Sequence, residues 1–141
     1  MVLAVKNLSS GLEDYLEAIY LSHINNKPLK GAELARQLGI SRASVSEALS
    51  KLVAKKLISY NSYKAISITK LGIEKAAKIY NKHHILENFL IKVLGIEKNE
   101  AGENACEIEH IISQNVLNKI CSFTEFCENN KEFIDKYNKS T

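Results

Sequence analysis

A chain of 141 residues, 45% hydrophobic and 25% charged, has the size and mix of one globular domain or of two small ones sharing a core. It contains no apolar run near the ~20 residues a membrane span needs, so no membrane partner is expected. The net charge of +3 is unevenly spread: residues 1–70 carry 10 Lys/Arg against 5 Asp/Glu, and residues 71–141 carry 9 against 11, which points to a polyanionic partner for the first half only.

In chain order, Leu12, Leu16, Ile19 and Tyr20 recur at helical spacing behind a serine cap, Ser9 or Ser10, and predict a helix over Gly11–Ile24. The segment Asn25–Pro28 reads as a turn. Leu34, Ala35 and Leu38 give a short helix over Gly31–Leu38, stopped by Gly39. Ser41 caps a third helix whose buried stripe is Val45, Leu49, Leu52 and Val53. The period then changes: Tyr60–Lys64 reads as a hairpin tip and Ala65–Thr69 alternates like a strand. Helix returns at Lys70 and runs to about Leu94, expected to join two halves rigidly. Further helices are predicted over Glu100–Ser113 and Asn115–Phe126, and the last dozen residues are expected to fray. The architecture expected is mainly α: a winged helix-turn-helix with a small β-hairpin wing over residues 1–70, then a helical domain over residues 71–141.

The first chemical signal is the run from Glu33 to Leu49. A short helix, a tight turn at Gly39 and a second amphipathic helix form a helix-turn-helix. Arg42, Ala43, Ser44 and Ser46 crowd the outward start of the second of these helices. They are short or basic, so that end can enter a major groove. Lys64 at the wing tip and Lys51, with Lys55 and Lys56, add charge for the phosphate backbone. The same elements also describe a plain three-helix bundle. The order helix, helix, turn, helix, hairpin together with the basic imbalance favours double-stranded DNA as the partner.

The second signal is a set of ligand-type side chains. Cys106, Glu109 and His110 stand at i, i+3 and i+4, on one helical face. Thiolate, carboxylate and imidazole together suit a divalent transition metal. Asp14 and Glu17 stand three apart, and His83 and Glu87 four apart. Taken singly, the acidic pair also reads as a solvated face, His83–Glu87 as an ordinary helix pair, and Cys106 as a core thiol. The three cysteines form no CxxC pair, Cys121 and Cys127 read as thiols without chemistry, and no further catalytic motif stands beside Cys106, so an enzyme is not expected. Met1–Leu8 is too short for a secretory signal, and a cytoplasmic setting is expected.

Three spaced motifs carry a resemblance. Leu12–Tyr20, Lys82–Glu87 and Cys106–Ser113 resemble, in the right order, the first-helix, long-helix and central ligand motifs of the iron- and manganese-dependent repressors typified by the diphtheria toxin repressor and the manganese transport regulator. The resemblance covers about residues 8–127. It implies a homodimeric repressor that binds palindromic operator DNA when loaded with Mn2+ or Fe2+, with Co2+, Ni2+ or Zn2+ able to substitute in vitro. It implies ligands at Asp14, Glu17, His83, Cys106, Glu109 and His110, with Glu87 secondary. Asp14 and Glu17 look like the manganese branch, Cys106 like the iron branch, and Gly102 stands near a position where the iron branch carries an ancillary histidine. Ile111, Ile112, Val116, Leu117 and Ile120 are candidates for an apolar dimer surface and equally for intrachain core. The rival reading is a metal-independent winged-helix regulator sensing an organic ligand, for which Asp14, Glu17 and Glu109 are surface charge.

Overall fold

The computed structural model describes residues 8–61 and 63–141. The expectation about Met1–Leu8 therefore falls almost wholly, and that about residue 62 of the hairpin tip entirely, outside the described residues. The chain divides into two compact units, Met1–Lys78 and Ile79–Thr141.

In the first unit, α1 (Ser10–Ile24), α2 (Gly31–Leu38) and α3 (Arg42–Ala54) enclose an apolar core. Leu16 and Ile19 of α1, Leu34 of α2, and Val45, Leu49 and Leu52 of α3 are almost completely buried. Each helix begins where an oxygen-bearing side chain satisfies backbone donors that the helix itself cannot. Ser9 Oγ accepts from Leu12 N at 3.3 Å, and Ser41 Oγ accepts from Ser44 N at 3.1 Å. Glu33 accepts from Lys30 N at the start of α2. Gly39 ends α2 at φ 66°, in the left-handed region that suits glycine, and so makes the tight turn into α3.

After α3 the chain turns through Lys56, a non-glycine residue at φ 60°, into a hairpin of β1 (Ile58–Ser59) and β2 (Ser67–Ile68). The strands are antiparallel, with Ile58 opposite Ile68 and Ser59 opposite Ser67. Alternation predicts a strand over Ala65–Thr69, but only two of those residues pair. Ile66 N points away from β1 and donates to Leu29 O at 2.8 Å, which ties the wing to the α1–α2 connection. At its other end the hairpin feeds α4 (Lys70–Lys92), whose first turn is fixed by Thr69. The Thr69 hydroxyl donates to Lys56 O at 2.7 Å and accepts from Gly72 N at 3.1 Å.

The second unit contains the rest of α4 with α5 (Lys98–Glu109), α6 (Gln114–Asn129) and α7 (Lys131–Ser140). Its core includes Leu86 of α4, Ala105 of α5 and Leu117 of α6, with Ile85, Leu90, Ile108, Ile112 and Ile120 packed around them. Three expectations are corrected here. The fifth helix starts earlier than Glu100, because the Glu97 carboxylate accepts from Asn99 N and Glu100 N. It ends at Glu109 rather than Ser113, because Ser113 caps α6 by accepting from Val116 N. The tail does not fray: residues 131–140 form α7 after the break at Asn130. Its many Asn and Lys residues obscure Phe133, Ile134 and Tyr137, which recur at helical spacing and give it an apolar face. Among the described residues no helix is long and apolar enough to cross a membrane.

Gly72 tests the junction between wing and α4. A Cβ there would lie 2.7 Å from Ile68 Cγ1 and closer still to Leu57 O, so backbone must shift to admit it. Gly72→Ala should cost about 1–3 kcal/mol in urea unfolding, as overpacking does. Gly11→Ala, with nothing within 4 Å of the added carbon, should cost nothing and gain up to about 1 kcal/mol.

Candidate metal centre and nucleic-acid interface

The helix-turn-helix of the first unit presents every predicted contact residue to solvent. Arg42, Ala43, Ser44 and Ser46 on the first turns of α3 are exposed, while Val45, Ala48 and Leu49 between them are buried. The alternation follows from the 3.6-residue period: the buried set sets the pitch of α3, and the outward set is left small enough for a duplex to approach. Ser41 Oγ also donates to Ser44 Oγ at 2.9 Å, which holds both hydroxyls at the helix start, where the backbone's partial positive charge lies. Lys51 pairs with Glu47 at 3.2 Å, but both side chains are more than half exposed, so the pair contributes little and its ammonium can exchange to another anion. Lys64 stands at the exposed wing tip, where its N–H donates to Asn61 O.

The other candidate ligands of this unit, Asp14 and Glu17, stand one turn apart on α1 and are half-buried. Leu16 and Ile19 hold that helix by complete burial.

The second unit gathers most of the remaining ligand types around one carboxylate. Glu109 is only 2% exposed, although a carboxylate is among the groups least often found buried. The cause is position: Glu109 closes α5 one turn after Ala105, on the face that the helix turns toward the core. One oxygen of Glu109, Oε2, lies 2.8 Å from His83 Nδ1. The other, Oε1, is buried and has no hydrogen-bond partner, with His110 Nε2 at 3.7 Å. Cys106, Glu109 and His110 each bring a ligand atom within 4.8 Å of the others, and so do His83 and Glu109. His110 follows the helix end but keeps helical backbone angles, φ −77° and ψ −20°, so the i, i+3, i+4 relation of these three residues survives the early end of α5.

This arrangement fits a divalent cation on its own evidence. Two ligands bound at about 2.0–2.3 Å to one ion can stand at most ~4.6 Å apart, close to the spacing present here. A buried carboxylate oxygen without a donor carries a desolvation cost of several kcal/mol that a cation would remove. Imidazole, carboxylate and thiol together are the donor set of a transition metal of intermediate softness.

Glu87 lies at the edge of this cluster. Its Oε2 is 3.8 Å from His83 Nε2, so the His83 ring stands between two carboxylates. A carbon added at Gly102 would lie 3.5 Å from Glu87 Oε1, so this glycine leaves space beside the acid. His84, which the spacing argument passes over, packs edge-on against Tyr80 with ring centroids 4.3 Å apart. Cys127 is buried and Cys121 is half-buried, its sulfur 4.0 Å from Glu125 Oε1.

Similarity to known proteins also falls into two parts, with a boundary about ten residues before that of the compact units. Residues 7–66 match the family model described as the iron dependent repressor N-terminal DNA binding domain. Residues 69–133 match the iron dependent repressor metal binding and dimerisation domain. An HTH-type transcriptional regulator of Methanocaldococcus jannaschii is 40% identical over 119 residues, which cover 84% of this chain and 95% of that one. The HTH-type transcriptional regulator MntR of Lysinibacillus sphaericus is 26% identical, with 92% of each chain covered. Among solved structures, the manganese regulator SloR is similar at a TM-score of 0.73 and 28% identity over 82% of this chain. A manganese-dependent transcriptional repressor in complex with manganese is similar at a TM-score of 0.75 and 27% identity, again over 82% of this chain. The chain spans about half the length of these two structures, 54% and 53% respectively. From the matched family models and the 40% identical relative, the chain belongs to the iron-dependent repressor family, with an N-terminal DNA-binding domain followed by a metal-binding and dimerisation domain.

Proposed function

We propose that this protein is a metal-activated transcriptional repressor that binds palindromic operator DNA as a homodimer when loaded with a divalent metal such as manganese or iron. The observation that carries the proposal is the buried Glu109 carboxylate, with its unpartnered oxygen, beside Cys106 and His110. The rival reading, an organic-ligand sensor with Glu109 as surface charge, does not accommodate that burial.

Cys106, Glu109, His110 and His83 are assigned as ligands from the second unit. Asp14 and Glu17 of α1 complete the set on the strength of the family resemblance, and Glu87 is held as a secondary ligand. When bound, a divalent cation supplies positive charge that compensates the carboxylates and a deprotonated thiol. Glu109 is the fixed member, since its burial and its contact with the His83 ring leave it little freedom. Cys106 contributes the softest donor, which shifts preference from manganese toward iron, cobalt, nickel or zinc relative to an all-oxygen set.

At the DNA end, α3 serves as the reading helix and the wing as a backbone contact. Arg42 and the hydroxyls of Ser44 and Ser46 face bases and phosphates, while Lys51 and Lys64 neutralise the flanking backbone. A two-fold dimer meets two half-sites when its two α3 helices stand about 34–36 Å apart, one turn of B-DNA. Metal dependence follows if the loaded protein favours that spacing, and a tenfold gain in affinity corresponds to about 1.4 kcal/mol of coupling.

Two measurements test the reading. Cys106→Ala should reduce the metal-induced gain in operator affinity by tenfold or more, with helicity in circular dichroism unchanged. A titration identical to that of the unaltered protein removes Cys106 from the site. Arg42→Ala should cost about 1–3 kcal/mol of operator binding in fluorescence anisotropy at fixed salt, while Lys139→Ala, on α7, should cost nothing measurable.

A further inference from the structure

Among the described residues, the most exposed large apolar side chain is Tyr63 at the tip of the wing, at 90%. Exposure alone says little, because apolar side chains scattered singly over a surface are common. The backbone beneath this one says more. The Asn61 Oδ1 atom accepts from Tyr63 N at 3.2 Å, and Asn61 O accepts from Lys64 N at 2.9 Å, so the turn is closed around the residue that carries the ring. The base of the hairpin is held as well. Ile66 N reaches Leu29 O, and the hydroxyl of half-buried Tyr60 lies 3.2 Å from the point where a Cβ on Gly31 would stand. One wing tyrosine thus packs within the first unit, and the other is held out in solvent.

The charge around Tyr63 is one-sided. Between Glu47 and Glu74 the chain carries five lysines, Lys51, Lys55, Lys56, Lys64 and Lys70, and no acidic residue. Lys64, next to the ring, is exposed. Phosphates alone would be served by these lysines. A basic, acid-free stretch with an amphipathic ring at its tip fits a polyanion that also offers apolar surface, as the groove of a nucleic acid does.

We infer that Tyr63 enters the minor groove beside the major-groove site of α3 and gives the protein a preference for A·T pairs there. The inference rests on the DNA-binding reading of the first unit and adds a base-reading residue to it. Groove dimensions choose the minor groove. At about 6 Å it is too narrow for a helix but admits one ring, whereas the major groove, about 12 Å wide, is the one a helix such as α3 fits. The ring brings two chemistries to the groove floor. Its apolar faces pack against the sugar walls, and its hydroxyl donates to the adenine N3 or thymine O2 acceptors that an A·T pair presents. A G·C pair adds the guanine N2 amino group at the same place, whose bulk lifts the ring off the floor. Tyrosine has only two side-chain torsions to immobilise, so ordering it costs less than ordering a lysine. The wing therefore reads bases as well as gripping the backbone.

The test uses the full chain loaded with Mn2+ and two duplexes of equal length, one of alternating dG and dC, the other of alternating dI and dC. Inosine lacks the guanine N2 amino group and keeps N7 and O6, so the duplexes differ in the minor groove and present the same major-groove edges. In fluorescence anisotropy at fixed salt the unaltered protein should bind the dI–dC duplex at least ~5-fold more tightly, the low end of what one base-pair change costs. Tyr63→Ala should bring the two affinities together, with helicity retained because the side chain is exposed. Lys64→Ala should weaken both complexes and keep their ratio. A second measurement needs no variant: nitration of Tyr63 by tetranitromethane, located by mass spectrometry, should be suppressed by the dI–dC duplex. Equal binding of the two duplexes by the unaltered protein, a preference that survives Tyr63→Ala, or nitration unaffected by the dI–dC duplex overturns the role of Tyr63. Failure of the metal-loaded protein to bind either duplex overturns the DNA-binding reading itself.

Discussion

Cys106, His110 and His83 of the second unit all converge on one buried carboxyl group, that of Glu109. Moving a carboxylate out of water costs several kcal/mol even after relaxation, and one neighbour repays only part of it. At Glu109 that neighbour is the His83 ring at 2.8 Å, and the second oxygen is left without a donor in a position water does not reach. A protein that needed only a stable helix end would place an apolar residue there. The cost makes sense if the carboxylate is kept for a cation, with Cys106 and His110 brought to the same point by the helix that carries it. The His83 ring contacts Glu109 through Nδ1 and has Glu87 3.8 Å from Nε2 on its other side.

Much of this was legible in the residues. The i, i+3, i+4 spacing of Cys106, Glu109 and His110 needs only helical periodicity, and the structure keeps it although α5 ends earlier than expected. The helix-turn-helix was equally plain, because Ser41 and Gly39 are strong local signals whose effects do not depend on distant parts of the chain. What the residues did not reveal were choices made by tertiary competition. The tie between the wing and the α1–α2 connection depends on Ile66 N finding Leu29 O, a partner 37 positions away in sequence. The meeting of Glu109 with His83 depends on α4 lying beside α5, which no local pattern encodes. The seventh helix was obscured by its polar composition, although Phe133, Ile134 and Tyr137 carried the signal.

The division of charge gives the two halves separate work. The first unit keeps its basic and hydroxyl groups on the outer face of α3 and the wing, where an exposed pair such as Glu47–Lys51 can reorganise at little cost. The second unit places Glu87 and Glu109 beside His83, exposes Glu97, Glu100, Glu103 and Glu107 at and along α5, and sets its other acids among the lysines of α6 and α7.

The most direct measurement is X-ray absorption at the zinc edge of the full chain loaded with one equivalent of zinc. A single sulfur neighbour at about 2.3 Å, with nitrogen and oxygen neighbours at about 2.0–2.2 Å, is the predicted first shell, and Glu109→Gln should weaken zinc binding while leaving the helices intact. A first shell of nitrogen and oxygen alone, or zinc affinity unaffected by the loss of the Glu109 charge, would contradict the account.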